Sequence, residues 1–269
     1  MKEVTDTEIK RISFEILSEV TDYCDACGIQ YFLICGTALG AVRHNGFIPW
    51  DDDIDIGIPR TDYERFIESY KSEKYKLHES RFDKNYPYAF AKVCDCDTVL
   101  IENIEHPCKL GIYIDIFPID GLPDNEKERK RHLNRINLDL KILSWKRISR
   151  TKKVDVIHKI IQIIAKTALC LVPVSALVNM LNKDIRKYSY DDSKFVGHLS
   201  TKAVWGNDVK PKDIFKSPVK HRFEEKEFWL PGDFDKYLTL EYGDYMRVPP
   251  KEKQVSNHDF TVYYKDDHN

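Results

Sequence analysis

The residues best suited to chemistry are the aspartates of the run Trp50-Asp51-Asp52-Asp53-Ile54-Asp55-Ile56-Gly57. From Asp53 to Ile58 the alternation has the two-residue period of a strand, so Asp53 and Asp55 are expected on one side while Ile54 and Ile56 enter the core. Two like charges side by side repel, and a charge buried without a partner is costly. A divalent cation relieves both problems, and hard carboxylate oxygens suit Mg²⁺ or Mn²⁺ better than zinc. Asp115 offers a third carboxylate on a second expected strand, Gly111 to Phe117, where Ile112, Ile114 and Ile116 line the opposite face. An isolated Asp-x-Asp would more readily be an exposed acidic edge, but the flanking isoleucines argue for burial. Asp51 has the parity of Asp53 and is either an outer metal ligand or a turn residue.

Other groups near these carboxylates suit an anionic substrate. Gly36-Thr37 follows a short apolar run, Tyr31 to Cys35, and opens a helix over Thr37 to Val42. Backbone N–H groups at such a helix N-terminus, with the Thr37 hydroxyl, are placed to hold phosphate oxygens. Arg43, further along that helix, is a candidate for a charge-assisted phosphate contact.

The elements that must position these groups can be read from periodicity. Ile9, Ile12, Ile16, Val20 and Tyr23 recur at helical spacing over Glu8 to Cys27, with Gly28 placed to end the helix. Asn45-Gly46 marks a loop, Thr61 to Tyr70 a helix, and Tyr88 to Cys94 a strand. This mixture predicts an α+β fold. Strand, Gly-Thr, short helix, Asp-x-Asp strand and a third carboxylate strand together form the layout of a nucleotidyltransferase-like mixed sheet, shared with polymerase-beta-like enzymes.

The bulk properties fit a soluble enzyme. The chain has 269 residues, 42% hydrophobic, with a formal net charge of -2, which gives no reason to expect nucleic acid as a partner. Seven cysteines without a dense framework, and a polar start without a signal-peptide pattern, point to the cytoplasm. Glu126 to Lys153 carries eleven Lys/Arg against three Asp/Glu and predicts a basic helix or helix pair. The following apolar stretch, Val154 to Leu181, is broken by Lys159, Lys166 and Pro173 and is a poor candidate for crossing a membrane. These features divide the chain into a catalytic core (1–125), a helical insertion (126–190) and a C-terminal part (191–269), with a helix over Asp233 to Tyr242, that is expected to pack on the core and complete the substrate site. Residues 126–181 could also rest on an anionic membrane surface, placing the protein at the inner face of the plasma membrane; a helical subdomain with one solvated basic face explains them equally well.

Gly36 to Ile56, reading GTALGAVRHNGFIPWDDDIDI, resembles the signature of the LicD family of phosphotransferases, which includes phosphorylcholine transferases and is related to the fukutin proteins. Gly111 to Pro118 with Asp120-Gly121, Phe223 to Pro231, and Tyr242 to Tyr245 with Pro249-Pro250 agree with it, so the resemblance spans about Gln30 to Pro250. It implies transfer of phosphocholine or a polyol phosphate from a CDP-activated donor such as CDP-choline to a hydroxyl of a glycan or lipid-linked glycan. CMP would be released, in the modification of cell-surface polysaccharide or teichoic acid. On that reading two metals held by Asp53, Asp55 and Asp115 bridge the pyrophosphate, and Asp115 places or deprotonates the acceptor hydroxyl. Lys92 matches a basic position of the family and is a candidate phosphate contact. His258 falls where the family tends to carry a histidine, with a possible binding role.

Some relatives bind zinc in an insertion, but Cys94, Cys96 and Cys108 match no closed four-ligand spacing and are expected to be inert. Tyr86, Tyr88, Trp205 and Trp229 are rich enough in π-faces for a quaternary ammonium, yet most are expected in the core. Two other activities compete. A nucleotidyltransferase moving NMP with pyrophosphate release would share the metal site. A metal-dependent glycosyltransferase would place Asp-x-Asp after a nucleotide-binding half, whereas only 52 residues precede Asp53.

Overall fold

The computed structural model describes residues 2–102, 109–147, 167–201, 208–255 and 260–265. Cys108, Lys159, Lys166, Trp205 and His258 lie outside the described residues, as does much of the expected apolar stretch.

The chain opens with helix α1 (Asp6–Cys27), whose buried stripe includes Ile9, Ile12, Ile16, Leu17, Val20 and Cys24. A reciprocal pair of hydrogen bonds between Thr5 and Glu8 caps its start, and Gly28 ends it at φ 62°, a left-handed conformation that costs glycine little. Next come β1 (Phe32–Leu33), α2 (Cys35–His44), β2 (Asp55–Pro59), α3 (Arg60–Ser69), β3 (Tyr75–His78), β4 (Ala91–Asp95), β5 (Thr98–Glu102) and β6 (Tyr113–Leu122). Then follow α4 (Glu126–Arg147), α5 (Val174–Ile185), β7 (Phe195–Gly197), β8 (Lys210–Pro211), β9 (Val219–Phe223), β10 (Lys226–Leu230), α6 (Phe234–Tyr242) and β11 (Phe260–Tyr264).

The architecture is a mixed α+β one, as the alternation of helix and strand periods predicts. The principal sheet runs β1-β2-β6-β4-β3, with β7 joining β6 and β8 joining β7. β2 and β6 are parallel, and β4 is antiparallel to β6. Strand alternation divides this sheet cleanly. Ile56, Ile58, Ile114, Ile116, Ala91 and Val93 share the apolar face and are fully buried. Asp55, Asp115 and Lys92 share the other.

α4 and α5 pack on one another around Leu133, Ile136, Val178, Leu181 and Ile185, together with Leu122 at the end of β6. Among the described residues, no helix is long and apolar enough to cross a membrane. The C-terminal strands return to the core: β7 pairs with β6, and β11 pairs with β5.

Several boundaries differ from the sequence reading: the strand expected over Tyr88 to Cys94 is Ala91–Asp95, and three further differences bear on the site. The strand expected from Asp53 begins at Asp55, because Asp51 to Asp53 belong to the preceding loop. The run Tyr31 to Cys35 yields only a two-residue strand, since Cys35 already starts α2 at the left-handed φ of 49°. The third-carboxylate strand begins at Tyr113 and runs on to Leu122, because its far end pairs with β7.

Candidate active site

Asp55 and Asp115 are direct partners on the parallel ladder between β2 and β6, and Lys92 is the partner of Asp115 on β4. One rung of the sheet thus carries two carboxylates and one ammonium. The Asp115 N–H donates to the Ile54 carbonyl at 2.8 Å, which fixes the register of the two acidic strands. Burial pushes the Asp55 carboxyl well above the usual range, and the charges of Asp53, Asp115 and Asp51 push it further; Lys92 opposes them.

The loop before β2 brings in the remaining carboxylates. Asp51, Asp52 and Asp53 each offer an oxygen, and these oxygens lie within 4.8 Å of one another. The loop is held on several sides. Glu224, in the β9–β10 turn, accepts from the Phe47 N–H at 2.9 Å, and its own N–H donates to the Asn45 carbonyl at 2.9 Å. Lys10 of α1 donates to the Pro49 carbonyl at 3.1 Å. At Gly36 a β-carbon would lie 2.5 Å from Asp51 Oδ2, so glycine is what lets the Asp51 carboxylate settle against the first turn of α2.

α2 is fixed to the acidic strand as well. Thr37 is buried, and its hydroxyl accepts from the Asp55 N–H at 2.8 Å. The Cys35 N–H donates to the Tyr237 hydroxyl at 3.1 Å, tying the helix start to α6. Burial pushes the Cys35 thiol well up, which makes it a poor nucleophile.

Between α2, the acidic loop and the segment after α6 lies a cleft of about 460 Å³. Asp51, Asp53 and Asp55 line one side, and Arg43, Arg247 and Lys253 also line it. Trp50, Tyr242 and Tyr245 supply aromatic surface. Arg43 donates to the Tyr245 carbonyl at 2.8 Å and to the Arg247 carbonyl at 3.5 Å, so it anchors this C-terminal wall. Its Nε also donates to His44 Nε2 at 3.0 Å, while burial and the Arg43 charge lower the affinity of His44 for a proton.

Of the residues singled out from sequence, Gly36, Arg43, Asp51, Asp53 and Asp55 line the cleft together. Thr37 lies beneath it, bound to the β2 backbone. Asp115 and Lys92 form an ion pair one strand further into the sheet. Among the aromatics, Tyr86 is core, Tyr88 leans on Lys92, and Trp229 donates to Asp25 at 3.1 Å on the other side of β10. Cys94 is buried and Cys96 exposed, and neither belongs to a three-ligand cluster among the described residues. The wall residues Asp244, Arg247 and Lys253, and the loop-holding Glu224, carry no signal of their own in the sequence. Two of the family-like blocks contain Asp244 and Glu224, but only the fold gives them a place.

The donor set of the acidic loop suits a hard divalent cation: three carboxylates, oxygen ligands only, with oxygens within 4.8 Å of one another and Asp51 and Asp53 on the cleft wall. A cation there would also relieve the repulsion that raises Asp55.

Residues 28–142 match the family model described as LicD/FKTN/FKRP, nucleotidyltransferase domain. The chain is 31% identical over 267 residues to the lipopolysaccharide cholinephosphotransferase LicD of Haemophilus influenzae, covering 96% of this chain and 97% of that one. A shorter stretch of 39 residues is 49% identical to the ribitol 5-phosphate transferase FKRP of Homo sapiens, covering 14% of this chain and 8% of that one. Over 124 residues it is 30% identical to the uncharacterized protein RT0683 of Rickettsia typhi, covering 45% of this chain and 38% of that one. The chain belongs to the LicD family of phosphotransferases.

Proposed function

We propose that this protein transfers a phosphorylated alcohol from its CDP-activated form to a hydroxyl of a cell-surface glycan or its lipid-linked precursor, releasing CMP. The observation that carries this reading is the cleft itself, lined by Asp51, Asp53 and Asp55 together with the cations Arg43, Arg247 and Lys253. A diphosphate diester needs both: cations for its charge and a metal for the phosphorus under attack.

The roles divide among the chain's own residues. Asp53, with Asp51 and Asp52 of the same loop and Asp55 beside it on the cleft wall, would hold Mg²⁺ or Mn²⁺, which when bound would supply Lewis-acid polarisation of the phosphoryl oxygens and stabilise the leaving CMP oxygen. Arg247 and Lys253, on the same cleft wall, would meet the second phosphate. Arg43 keeps its guanidinium at the cleft wall while bracing the carbonyls of Tyr245 and Arg247. Asp115 would orient the acceptor hydroxyl and take its proton as the new P–O bond forms and the bond to CMP breaks.

Phosphocholine is the first donor group to try, because a relative alignable over almost its whole length is named a cholinephosphotransferase. A polyol phosphate is the second, from the ribitol 5-phosphate transferase match. The test is a panel of CDP-choline, CDP-ribitol and CDP-glycerol with Mg²⁺, followed by CMP release, with Asp53→Ala and EDTA as controls. CMP release from one donor that both controls abolish supports the assignment; no release from any donor refutes it.

A further inference from the structure

Lys92 lies on the same rung as Asp115, and its Nζ is bound to the Asp115 carboxylate. Three rings close around that ammonium. Its Nζ is 3.4 Å from the centroid of Tyr113, 5.1 Å from Tyr88 and 5.2 Å from Phe90. The register explains most of the grouping: Lys92 is the partner of Asp115, Tyr113 lies two residues before Asp115 on β6 and so shares its face, and Phe90 lies immediately before β4. Phe90 in turn packs on Phe117 at 4.4 Å, which keeps the ring wall in place.

The pair is asymmetric. The Lys92 side chain is 3% exposed and that of Asp115 is 13% exposed, so the carboxylate reaches solvent while the ammonium stands behind it. To touch a phosphate in the cleft, Lys92 would have to leave both its counter-ion and its aromatic surroundings, and each favours the cation where it is. Neither Lys92 nor Asp115 is on the cleft wall that carries Arg43, Arg247 and Lys253, so of the two only the more exposed Asp115 is on the side from which an acceptor could approach.

We propose that Lys92 is a positioning residue for Asp115: a cation built into the sheet that holds the acceptor-side carboxylate in one orientation, without itself contacting the substrate. The ring cage of Tyr88, Phe90 and Tyr113 belongs to this device, so these rings serve the protein's own ammonium and not a substrate's. The inference rests on the transferase reading above, and its test separates the two.

The experiment compares wild type, Lys92→Met, Lys92→Arg, Asp115→Asn and the double variant Lys92→Met/Asp115→Asn. CMP release from the active CDP-alcohol, CMP affinity by calorimetry and urea unfolding are measured for each. In Lys92→Met, kcat falls by about 100-fold as the carboxylate loses its orientation, while KM for the donor and the CMP Kd stay within about threefold. Lys92→Arg, which keeps the charge, recovers part of kcat. The double variant binds CMP as Asp115→Asn does.

Unfolding is non-additive, the double variant being more stable than the sum of the single losses predicts, because each single change strands the other partner's charge. If Lys92→Met alone does not fold, the double variant, with its neutral pair of similar shape, carries the comparison with Asp115→Asn. A CMP affinity weakened about tenfold on removing Lys92 in either background would place Lys92 on the phosphate and overturn the proposal, as would an additive unfolding cycle. If wild type releases no CMP from any donor, the transferase reading fails, and the unfolding cycle still decides whether Lys92 serves Asp115.

Discussion

The hydroxyl of Thr37 accepts the backbone N–H of Asp55 at 2.8 Å, so the first turn of α2 and the first residue of the acidic strand are one unit. The same helix turn carries Gly36, against which Asp51 rests. A displacement of α2 is therefore transmitted directly to the carboxylates.

Replacing Thr37 by valine keeps the shape but leaves the Asp55 N–H without its acceptor. An unsatisfied buried donor costs about 1–3 kcal/mol, and the acidic strand loses its anchor. Thr37→Val should lower the melting temperature and reduce kcat by about tenfold or more, whereas Thr37→Ser should stay near wild type. Parallel melting curves and steady-state CMP release check this. Unchanged turnover in Thr37→Val would show that the anchor does not matter for the site.

Arg43 and Tyr245 are 202 residues apart in the chain, yet Arg43 is what ties α2 to the C-terminal wall. Lysine keeps the charge and loses the fork that serves two carbonyls and His44 at once. Arg43→Lys should raise the donor KM about tenfold with a smaller effect on kcat. Faster amide exchange over residues 244–249 should accompany it, and exchange at the wild-type rate would contradict the bracing role.

How much of this was legible in the sequence depends on the range of the interaction. The Asp/Ile alternation of β2 and β6 marks its own buried and functional faces, and Gly28 announces the end of α1, because these are local patterns. The start of β2 differs by two residues, since Asp53 has strand parity but lies in a loop whose Phe47, Pro49 and Asp51 rest on Glu224, Lys10 and Gly36, none of them neighbours in sequence. The C-terminal wall is legible only as the blocks Tyr242 to Tyr245 and Pro249-Pro250; its contact with α2 through Arg43 is not, for the same reason. Lys92 shows the limit most clearly: a lysine in a strand reads as exposed or substrate-binding until the register of β4 on β6 sets it beside Asp115.

Asp120 follows the third carboxylate on β6 but has a different task. It is fully buried and makes two hydrogen bonds of 2.7 Å with the Arg60 guanidinium at the start of α3. Asp120→Asn should destabilise the protein by about 1.5–3 kcal/mol, because Arg60 loses its buried carboxylate partner and is left with Glu64, at 3.0 Å. The fraction that folds should keep its donor KM. Urea unfolding read beside kinetics separates the two effects, and a loss of donor affinity without loss of stability would assign Asp120 to the site.

The helical part should show its own pH dependence. Burial and the neighbouring Asp184 carboxylate push Asp139 of α4 up to about 6, and Arg135 stands 3.5 Å away. A carboxyl whose pKa is raised in the fold holds its proton more tightly folded than unfolded. Its contribution is therefore most favourable below the usual carboxylate range, and stability is lost as the pH rises towards 6. The melting temperature of wild type relative to Asp139→Asn should fall between pH 4 and pH 7, by an amount corresponding to on the order of 1–3 kcal/mol. A constant difference between the two proteins across that range would show that Asp139 ionises freely.

The most direct test of the central claim is to identify the nucleotide product. Purified protein is incubated with Mg²⁺ and either CDP-choline or CTP in the presence of a glycan acceptor, and the nucleotides are resolved by anion exchange. The account predicts CMP from CDP-choline or another CDP-alcohol, lost in Asp53→Ala and Asp55→Asn and in EDTA, with no pyrophosphate from CTP. Pyrophosphate from CTP without CMP from any CDP-alcohol would contradict it, and would make the same carboxylates those of a nucleotidyltransferase.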